Sequence, residues 1–403
     1  MSGRRKGNGR TSRDPGIPDE VAEAATGYTS ALQSAVLNWY NQNGRRLPWR
    51  ETQDPYRIWL SEIMLQQTTV SAVIPYFQRF IERFPTVAVL ASAPLEDVLR
   101  CWEGLGYYSR ARNLHRAAGM IVSEHRGEFP QSAEQLNELP GIGRYTAGAI
   151  AAFAWDLPAA ILEANTERLY ARLTCLEEAA DSTAGRRQLW AFAESIVPRR
   201  RAGDFNQALM DIGSQVCTPT NPRCGECPLS ALCTARKRGL QQELPRRRAR
   251  PEITELSELA IVLERSGQVL LRQRGQQECW AGLHDFPRME ADAAIRGMVP
   301  CGERLRRGPK QRGRSLFATT AEPPTEEFVA AVEKLTGIRP ETLLASIETS
   351  YTVTRYRVSL LVVRCQVHKD CTTASDYYWH PTHELDALPM PIAARRIVEW
   401  LRQ

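Results

Sequence analysis

Leu139-Pro-Gly-Ile-Gly-Arg-Tyr-Thr-Ala-Gly148 joins two segments of helical character. Gly141 and Gly143 permit a tight turn and a close approach of backbone. The helix start that follows offers unpaired amides to an anion. Taken alone, a Gly-x-Gly is also compatible with a plain helix–helix turn. Outward from it, residues 28 to about 235 show apolar residues at three- and four-residue steps, as in Leu32, Val36, Leu37 and Tyr40. Turn signals at Asn43-Gly44, Pro85, Pro130, Pro140-Gly141 and Pro158 cut that run into helices. Pro245-Arg-Arg-Arg-Ala-Arg-Pro251 is charged and bounded by prolines, so it reads as a linker. Beyond it, Leu259–Leu263, Gln268–Leu271, Tyr351–Arg364 and Tyr377–His380 are strand-like, and Phe328–Gly337 and Ile392–Leu401 are helical. The expected architecture is therefore an all-α half, residues 28–243, followed after a linker at 244–254 by an α+β half, residues 255–403. Residues 1–27 are polar and charge-rich and read as a disordered tail.

The composition, 43% hydrophobic and 24% charged over 403 residues, excludes a wholly disordered, collagenous or membrane-embedded chain. The net charge of +6 is a cancellation. Residues 1–13 hold five basic and no acidic residues, 236–250 seven and one, and 302–314 six and one. Positive charge concentrated in this way suits a polyanion, although basic loops also serve solubility. Met1–Arg13 has no apolar core and is not a secretory signal. The most apolar stretch, Ala147–Trp155, is too short to span a bilayer. No membrane association and a cytoplasmic location, with the nucleoid in a bacterium, are expected.

Four of the ten cysteines, Cys217, Cys224, Cys227 and Cys233, are separated by six, two and five residues. Four thiolates this close suit one metal centre, and a single Cys-x-x-Cys with two outlying cysteines favours a cubane iron–sulfur cluster over zinc. The spacing resembles the cluster loop of the endonuclease III superfamily of DNA glycosylases. That resemblance implies one 4Fe–4S cluster with a structural, DNA-positioning role, with Arg223, Arg236, Lys237 and Arg238 near phosphates. In the same light the 139–148 string resembles a helix–hairpin–helix phosphate-binding element. Bifunctional relatives carry an imine-forming Lys two residues after its second Gly. Here that residue is Tyr145, which cannot form an imine, so a monofunctional glycosylase is expected.

Pro55–Thr68 reads as one helix, and Glu62 lies on its mostly apolar face among Ile58, Trp59 and Leu65. A carboxyl desolvated there would keep its proton near neutral pH, as a general acid for a leaving nucleobase requires. Leu47-Pro-Trp-Arg50, Trp59–Thr68, Ile74-Pro-Tyr-Phe77 and Gly104-Leu-Gly-Tyr-Tyr-Ser-Arg110 resemble the MutY-type A/G-specific adenine DNA glycosylases. The resemblance implies that Glu62 protonates adenine N7 and later helps to deliver water. It implies that Gln67 and Tyr107 wedge into the base stack, and that Trp49, Arg50 and Gln207 border the flipped adenine.

The family places Asp-Gly-Asn where this chain has Glu163-Ala164-Asn165. A second carboxylate would stabilise the oxocarbenium-like sugar, by analogy with glycosidases. Glu163 keeps the charge with about 1.5 Å more reach, and a backbone shift at Ala164 would compensate for that length. Two other readings stay open here: a weakened site, or an acid that only stabilises the next helix.

Trp280-Ala-Gly-Leu-His-Asp-Phe-Pro287 resembles a segment of the Nudix-like domain of this family. Lys334 and Leu335 stand where metal-binding Glu would be required, so no pyrophosphohydrolase activity is expected. Val353-Thr354-Arg355 falls where the family carries a lesion-contacting Phe-Ser-His loop, which makes Thr354 and Arg355 the lesion-reading candidates. The sequence thus predicts a monomeric base-excision repair enzyme acting on duplex DNA with adenine opposite 8-oxoguanine or guanine. The alternatives are a glycosylase of shifted base choice and a catalytically silent mispair-binding protein.

Overall fold

The computed structural model describes residues 19–248, 252–299, 315–317, 323–353 and 355–402. Thr354, the tail up to residue 18 and the basic stretch 302–314 lie outside the described residues. Contacts divide the chain into two compact units. One comprises residues 1–59, 130–138 and 142–248, and the other residues 60–129, 139–141 and 249–403.

The first half of the chain forms twelve α-helices among the described residues. They are α1 (Asp19–Asn43), α2 (Pro55–Leu65), α3 (Val70–Arg83), α4 (Val87–Ser92), α5 (Leu95–Cys101), α6 (Ser109–His125), α7 (Ala133–Glu138), α8 (Arg144–Trp155), α9 (Ala164–Thr174), α10 (Thr183–Ile196), α11 (Ala202–Asp211) and α12 (Thr234–Arg238). Two sequence boundaries move. Helix α1 begins at Asp19, inside the stretch read as tail, because the alanines and glutamates of residues 20–25 favour helix despite their polarity. Helix α2 stops at Leu65, and Gln67 takes a left-handed φ of +58° in the turn that follows.

Helix α8 is buried along most of its length, from Thr146 to Ala152 and at Ala154. A helix apolar all round belongs inside a core, and its small residues let neighbours approach. A Cβ on Gly148 would lie 2.5 Å from the Ala160 carbonyl oxygen, and one on Gly203 of α11 would lie 2.7 Å from that of Ala152. Leu32 and Val36 of α1, Leu169 and Leu173 of α9, Leu189 of α10, and Phe205 and Leu209 of α11 make one core. In the other unit Phe80 packs on Phe84 and Trp102 at ring separations of 4.8 and 6.1 Å.

The C-terminal part comprises β1 (Thr254–Arg265), β2 (Gln268–Gln273), β3 (His284–Asp285), β4 (Arg288–Glu290), α13 (Ala293–Gly297), β5 (Ser315–Phe317), α14 (Glu326–Thr336), β6 (Pro340–Val353), β7 (Tyr356–Val367), β8 (Tyr378–Pro381) and α15 (Ile392–Leu401). The sheet order is β3-β2-β1-β7-β6-β5, with β4 also on β1 and β8 also on β2. The stretch read as one strand, Tyr351–Arg364, is the end of β6, a turn, and β7. Val358, Leu360 and Val362 face the core under α15, while Leu361, Val363 and Cys365 face the core under α14. Strand β1 divides in the same way, with Ala260 and Val262 on one side and Leu259, Ile261 and Leu263 on the other. Burial on both faces is the setting that a parallel β1–β7 pair requires.

One charged clamp ties the loop before α2 to the end of α11. Asp211 is fully buried and accepts two bonds from Arg50, at 2.8 and 3.0 Å, and two from the Nε and backbone of Arg45, at 2.7 and 3.0 Å. Burial alone would raise its pKa, but the two guanidinium groups hold it below the usual value. Its stabilisation is therefore present above the ordinary carboxyl range and is lost as pH falls through the lowered value. Asp211→Asn should cost about 3–5 kcal/mol, because it leaves the buried Arg50 charge without its carboxylate. Urea unfolding at neutral pH measures this, and a loss below about 1 kcal/mol would show that the clamp is not structural.

Candidate active site

Glu62 sits in the middle of α2 and is 4% exposed, in a run with Trp59, Leu60, Ser61, Ile63 and Met64, all buried. The unit that holds it also holds both expected wedge residues. Gln67 is exposed in the turn after α2, and Tyr107 is 49% exposed with φ +48°. Non-glycine residues in this backbone region are uncommon and collect at functional sites. Gly104 precedes Tyr107, and a Cβ there would collide with the Tyr76 hydroxyl. Both turns are held by Arg110, the last residue of the Gly104–Arg110 motif, whose guanidinium is bonded to carbonyls of each.

In the hairpin, Gly141 has φ +79° and approaches Asn113, so the turn needs a glycine there. Gly143, at φ −95° and ψ 177°, is ordinary extended backbone. It caps α8, and a side chain there would point into open space. Tyr145 is half-buried in the first turn of α8.

The second carboxylate is built differently from a free anion. Glu163 is the N-cap of α9: Oε1 accepts from the Thr166 amide at 3.0 Å, and Oε2 accepts from the Asn165 amide at 2.8 Å and Asn165 Nδ2 at 3.1 Å. The Thr166 hydroxyl accepts in return from the Glu163 backbone, which completes a capping box. Burial pushes this carboxyl above its ordinary value, and the two amides, Arg168 and Asn165 pull it back only in part. Ala164 occupies the first position of α9 and is not among the left-handed residues, so alanine is unstrained there. A carboxylate has room for about four acceptor contacts, and three are used.

From Asn165 a chain of bonds runs to the cysteine loop. Arg168 donates to Asn165 Oδ1 at 3.0 Å, to the Gly213 carbonyl at 2.7 Å and to the Cys217 carbonyl at 2.7 Å. Gly213 lies in a π-helical turn, Ile212–Val216, that carries α11 into the loop. A Cβ on it would sit 2.9 Å from the Asn165 carbonyl oxygen. One turn further, Arg172 is 1% exposed and donates to the Cys217 sulfur at 3.2 Å and to the carbonyls of Thr218, Pro219 and Leu244.

Cys217, Cys224, Cys227 and Cys233 line one small cavity together with Arg172 and Arg236. Burial and the proximity of the other three sulfurs push the Cys227 thiol up to about 11. Four sulfurs lining one cavity, beside a buried guanidinium bonded to no carboxylate among the described residues, fit an anionic metal–thiolate cluster. Arg223 and Arg236, expected near phosphates, are partly committed to this loop: they bond the Gln215 and Cys224 carbonyls.

Of the expected base pocket, Trp49 is 5% exposed. Arg50, also expected there, has its guanidinium bonded to Asp211. Gln207 on α11 accepts a bond from the Tyr40 hydroxyl at 2.5 Å. No local sequence signal announces the Arg50–Asp211 or the Tyr40–Gln207 bond. In the C-terminal part, the lesion-reading candidate Arg355 is exposed and stacks on Tyr356. Tyr107, Arg112, Cys279, Trp280, Tyr351 and Val353 line a cavity of about 430 Å³.

Known proteins share this arrangement. Residues 60–195 match the HhH-GPD superfamily of base excision DNA repair proteins, 217–233 the iron-sulfur binding domain of endonuclease III, and 259–400 a NUDIX domain. The adenine DNA glycosylase of Buchnera aphidicola subsp. Schizaphis graminum is 40% identical over 256 residues, 63% of this chain and 74% of that protein. The adenine DNA glycosylase of Homo sapiens is 37% identical over 312 residues, 64% of this chain and 57% of that protein. The solved structure of a thermostable thymine-DNA glycosylase matches 53% of this chain and 99% of its own, at TM-score 0.50 and 28% identity. The cysteine loop is thus the seat of a 4Fe–4S cluster. With a helix–hairpin–helix glycosylase region, an iron–sulfur loop and a Nudix-like domain in that order, the chain belongs to the adenine DNA glycosylase family.

Proposed function

We propose that this enzyme hydrolyses the bond between adenine and deoxyribose where adenine is mispaired with 8-oxoguanine or guanine, leaving an abasic site. Base-excision repair by a DNA glycosylase follows from the family. The observation that carries the chemistry is Glu62, a carboxyl 4% exposed in a run with the buried Trp59, Leu60, Ile63 and Met64. In this reading that carboxyl is the general acid, the group with a proton to give. That proton goes to N7 of an extruded adenine, so the C1′–N9 electron pair leaves with a neutral base. The second carboxylate is Glu163, whose anion, steadied by the α9 amides and by Asn165, stabilises the cationic sugar until water adds.

Trp49 and Gln207 border the adenine, and Arg50, spent on Asp211, supports the wall of that pocket. Gln67 and Tyr107 occupy the gap in the stack, a role supported by their exposure and left-handed backbone. Arg355 with Thr354 reads the opposite base. The C-terminal domain recognises without hydrolysing, since Lys334 and Leu335 stand where metal-binding glutamates would be required. Cys217, Cys224, Cys227 and Cys233 hold the 4Fe–4S cluster, which when bound serves as a structural anchor for the loop. The enzyme acts as a monomer, in the cytoplasm. No helix among the described residues is long and apolar enough to cross a membrane.

Release of free adenine across a panel of mispairs tests the reading: no release with tight binding would mark a silent binder, and release of another base would change only the substrate. Glu62→Gln should lower single-turnover release by at least about 10²-fold with duplex affinity unchanged; near-normal release would remove its acid role. Glu163→Gln can still cap α9, so it should melt within about 1 kcal/mol of wild type while release falls. Because burial raises the Glu163 pKa, release by the wild type should decline as pH falls through that raised value. Glu163→Gln should flatten this acidic limb, and an unchanged pH profile would argue that Glu163 is only a cap. Borohydride should trap no efficient covalent adduct with DNA, since Tyr145 cannot form an imine; efficient trapping would point to another nucleophile.

A further inference from the structure

Arg110 is only 8% exposed, in the first turn of α6. Its Nη1 donates to the carbonyls of Ile63 at 2.8 Å, Met64 at 3.0 Å and Gln66 at 2.5 Å. Its Nη2 donates to the carbonyls of Leu105 and Gly106, both at 3.1 Å, and reaches Thr68 Oγ1 at 3.4 Å. The first set is the open end of α2 and the turn that carries Gln67. The second is the turn that carries Tyr107. The last carbonyls of a helix have no partner within it, and the planar, multi-donor guanidinium supplies partners to both segments at once.

Gln67 and Tyr107 both hold left-handed backbone, at φ +58° and +48°. Such backbone is strained for a side chain and persists only where its surroundings over-determine it. The guanidinium carbon also lies 5.7 Å from the centre of the Tyr107 ring and 5.4 Å from that of Trp102. No carboxylate is among its bonding partners in the described residues, and burial pulls its pKa down to about 10. A buried cation bonded only to neutral oxygens is expensive, and this one lies directly behind a half-exposed aromatic ring.

We propose that Arg110 is a positioning residue that presents Gln67 and Tyr107 to duplex DNA as a single rigid wedge, and so governs extrusion of the target base rather than cleavage of its bond. This role rests on Gln67 and Tyr107 acting as the wedge. Lysine cannot replace Arg110, because one ammonium cannot span two turns. It would keep the charge and lose the fork.

The test uses the full-length protein, loaded with its cluster, as wild type, Arg110→Lys, Arg110→Met, Gln67→Ala and Tyr107→Ala. Fluorescence of 2-aminopurine at the target position, opposite 8-oxoguanine, reports unstacking at saturating protein. Single-turnover release and affinity for undamaged duplex are measured alongside. Arg110→Lys should lose the fluorescence rise and lower release by at least about tenfold, with affinity for undamaged duplex unchanged within about threefold and the visible absorbance of the cluster retained. Arg110→Met should behave likewise; if it loses its cluster absorbance, Arg110→Lys alone decides. Full unstacking by Arg110→Lys would overturn the inference. So would a loss of release with unstacking intact, which would place Arg110 in the chemical step. If Gln67→Ala and Tyr107→Ala unstack the base as wild type does, the wedge role itself fails. If they do not and Arg110→Lys does, only the inference about Arg110 fails.

Discussion

Guanidinium groups buried against backbone carbonyls hold the functional segments of this enzyme. Arg110 gathers the carbonyls of two turns, Arg168 those of Gly213 and Cys217, and Arg172 those of Thr218, Pro219 and Leu244. These segments leave regular helix geometry where function demands it, and each departure frees carbonyl oxygens that must find donors. A guanidinium is suited to this, because it offers five N–H groups in a fixed plane and accepts nothing. Its desolvation is offset only while all of those bonds hold, so each segment is held as a unit. Arg50 is the variant case, in which the buried acceptor is a carboxylate, Asp211.

Helix α9 shows how such contacts join chemistry to scaffold. Its N-cap is the candidate catalytic Glu163, its first turn presents Asn165, and Arg168 and Arg172 lead along its length to the cysteine loop. The cap that looks like a bland helix-stabilising feature is also what steadies the carboxylate. Cap and anion are one geometry. Glu163 folds back onto the amides of α9, and alanine at the next position brings no strain.

Much of the fold and of the candidate site is legible in the residues. The cysteine spacing, the hairpin string and the α2 segment are local, and local geometry follows from local sequence. Helices α14 and α15 fall where periodicity puts them. Three features differ. The run Tyr351–Arg364 conceals a turn, because β-branched residues continue across it on both strands. The α1 start lies earlier than the change in composition implies. Helix α2 stops at Leu65, short of Thr68. The partners of Arg110, Arg172, Tyr40 and Asp211 escape a reading of the sequence for a common reason: they lie tens of residues away or are carbonyls, which every residue has. Arg50 and Asp211 are 161 positions apart, and nothing near either announces the other.

By itself, the sequence determined the order of the segments, the cysteine spacing that suits a cluster, the absence of an imine-forming lysine at Tyr145, and a carboxyl on an apolar helical face. Those properties depend on residue type and short spacing, which the chain carries covalently. The tertiary structure alone decided the surroundings of each group: which charges are buried, which carbonyls they satisfy, and which turns are forced into left-handed backbone. Such properties arise only when distant segments exclude water from one another, since desolvation is what makes an unpaired charge or carbonyl costly enough to dictate its partner.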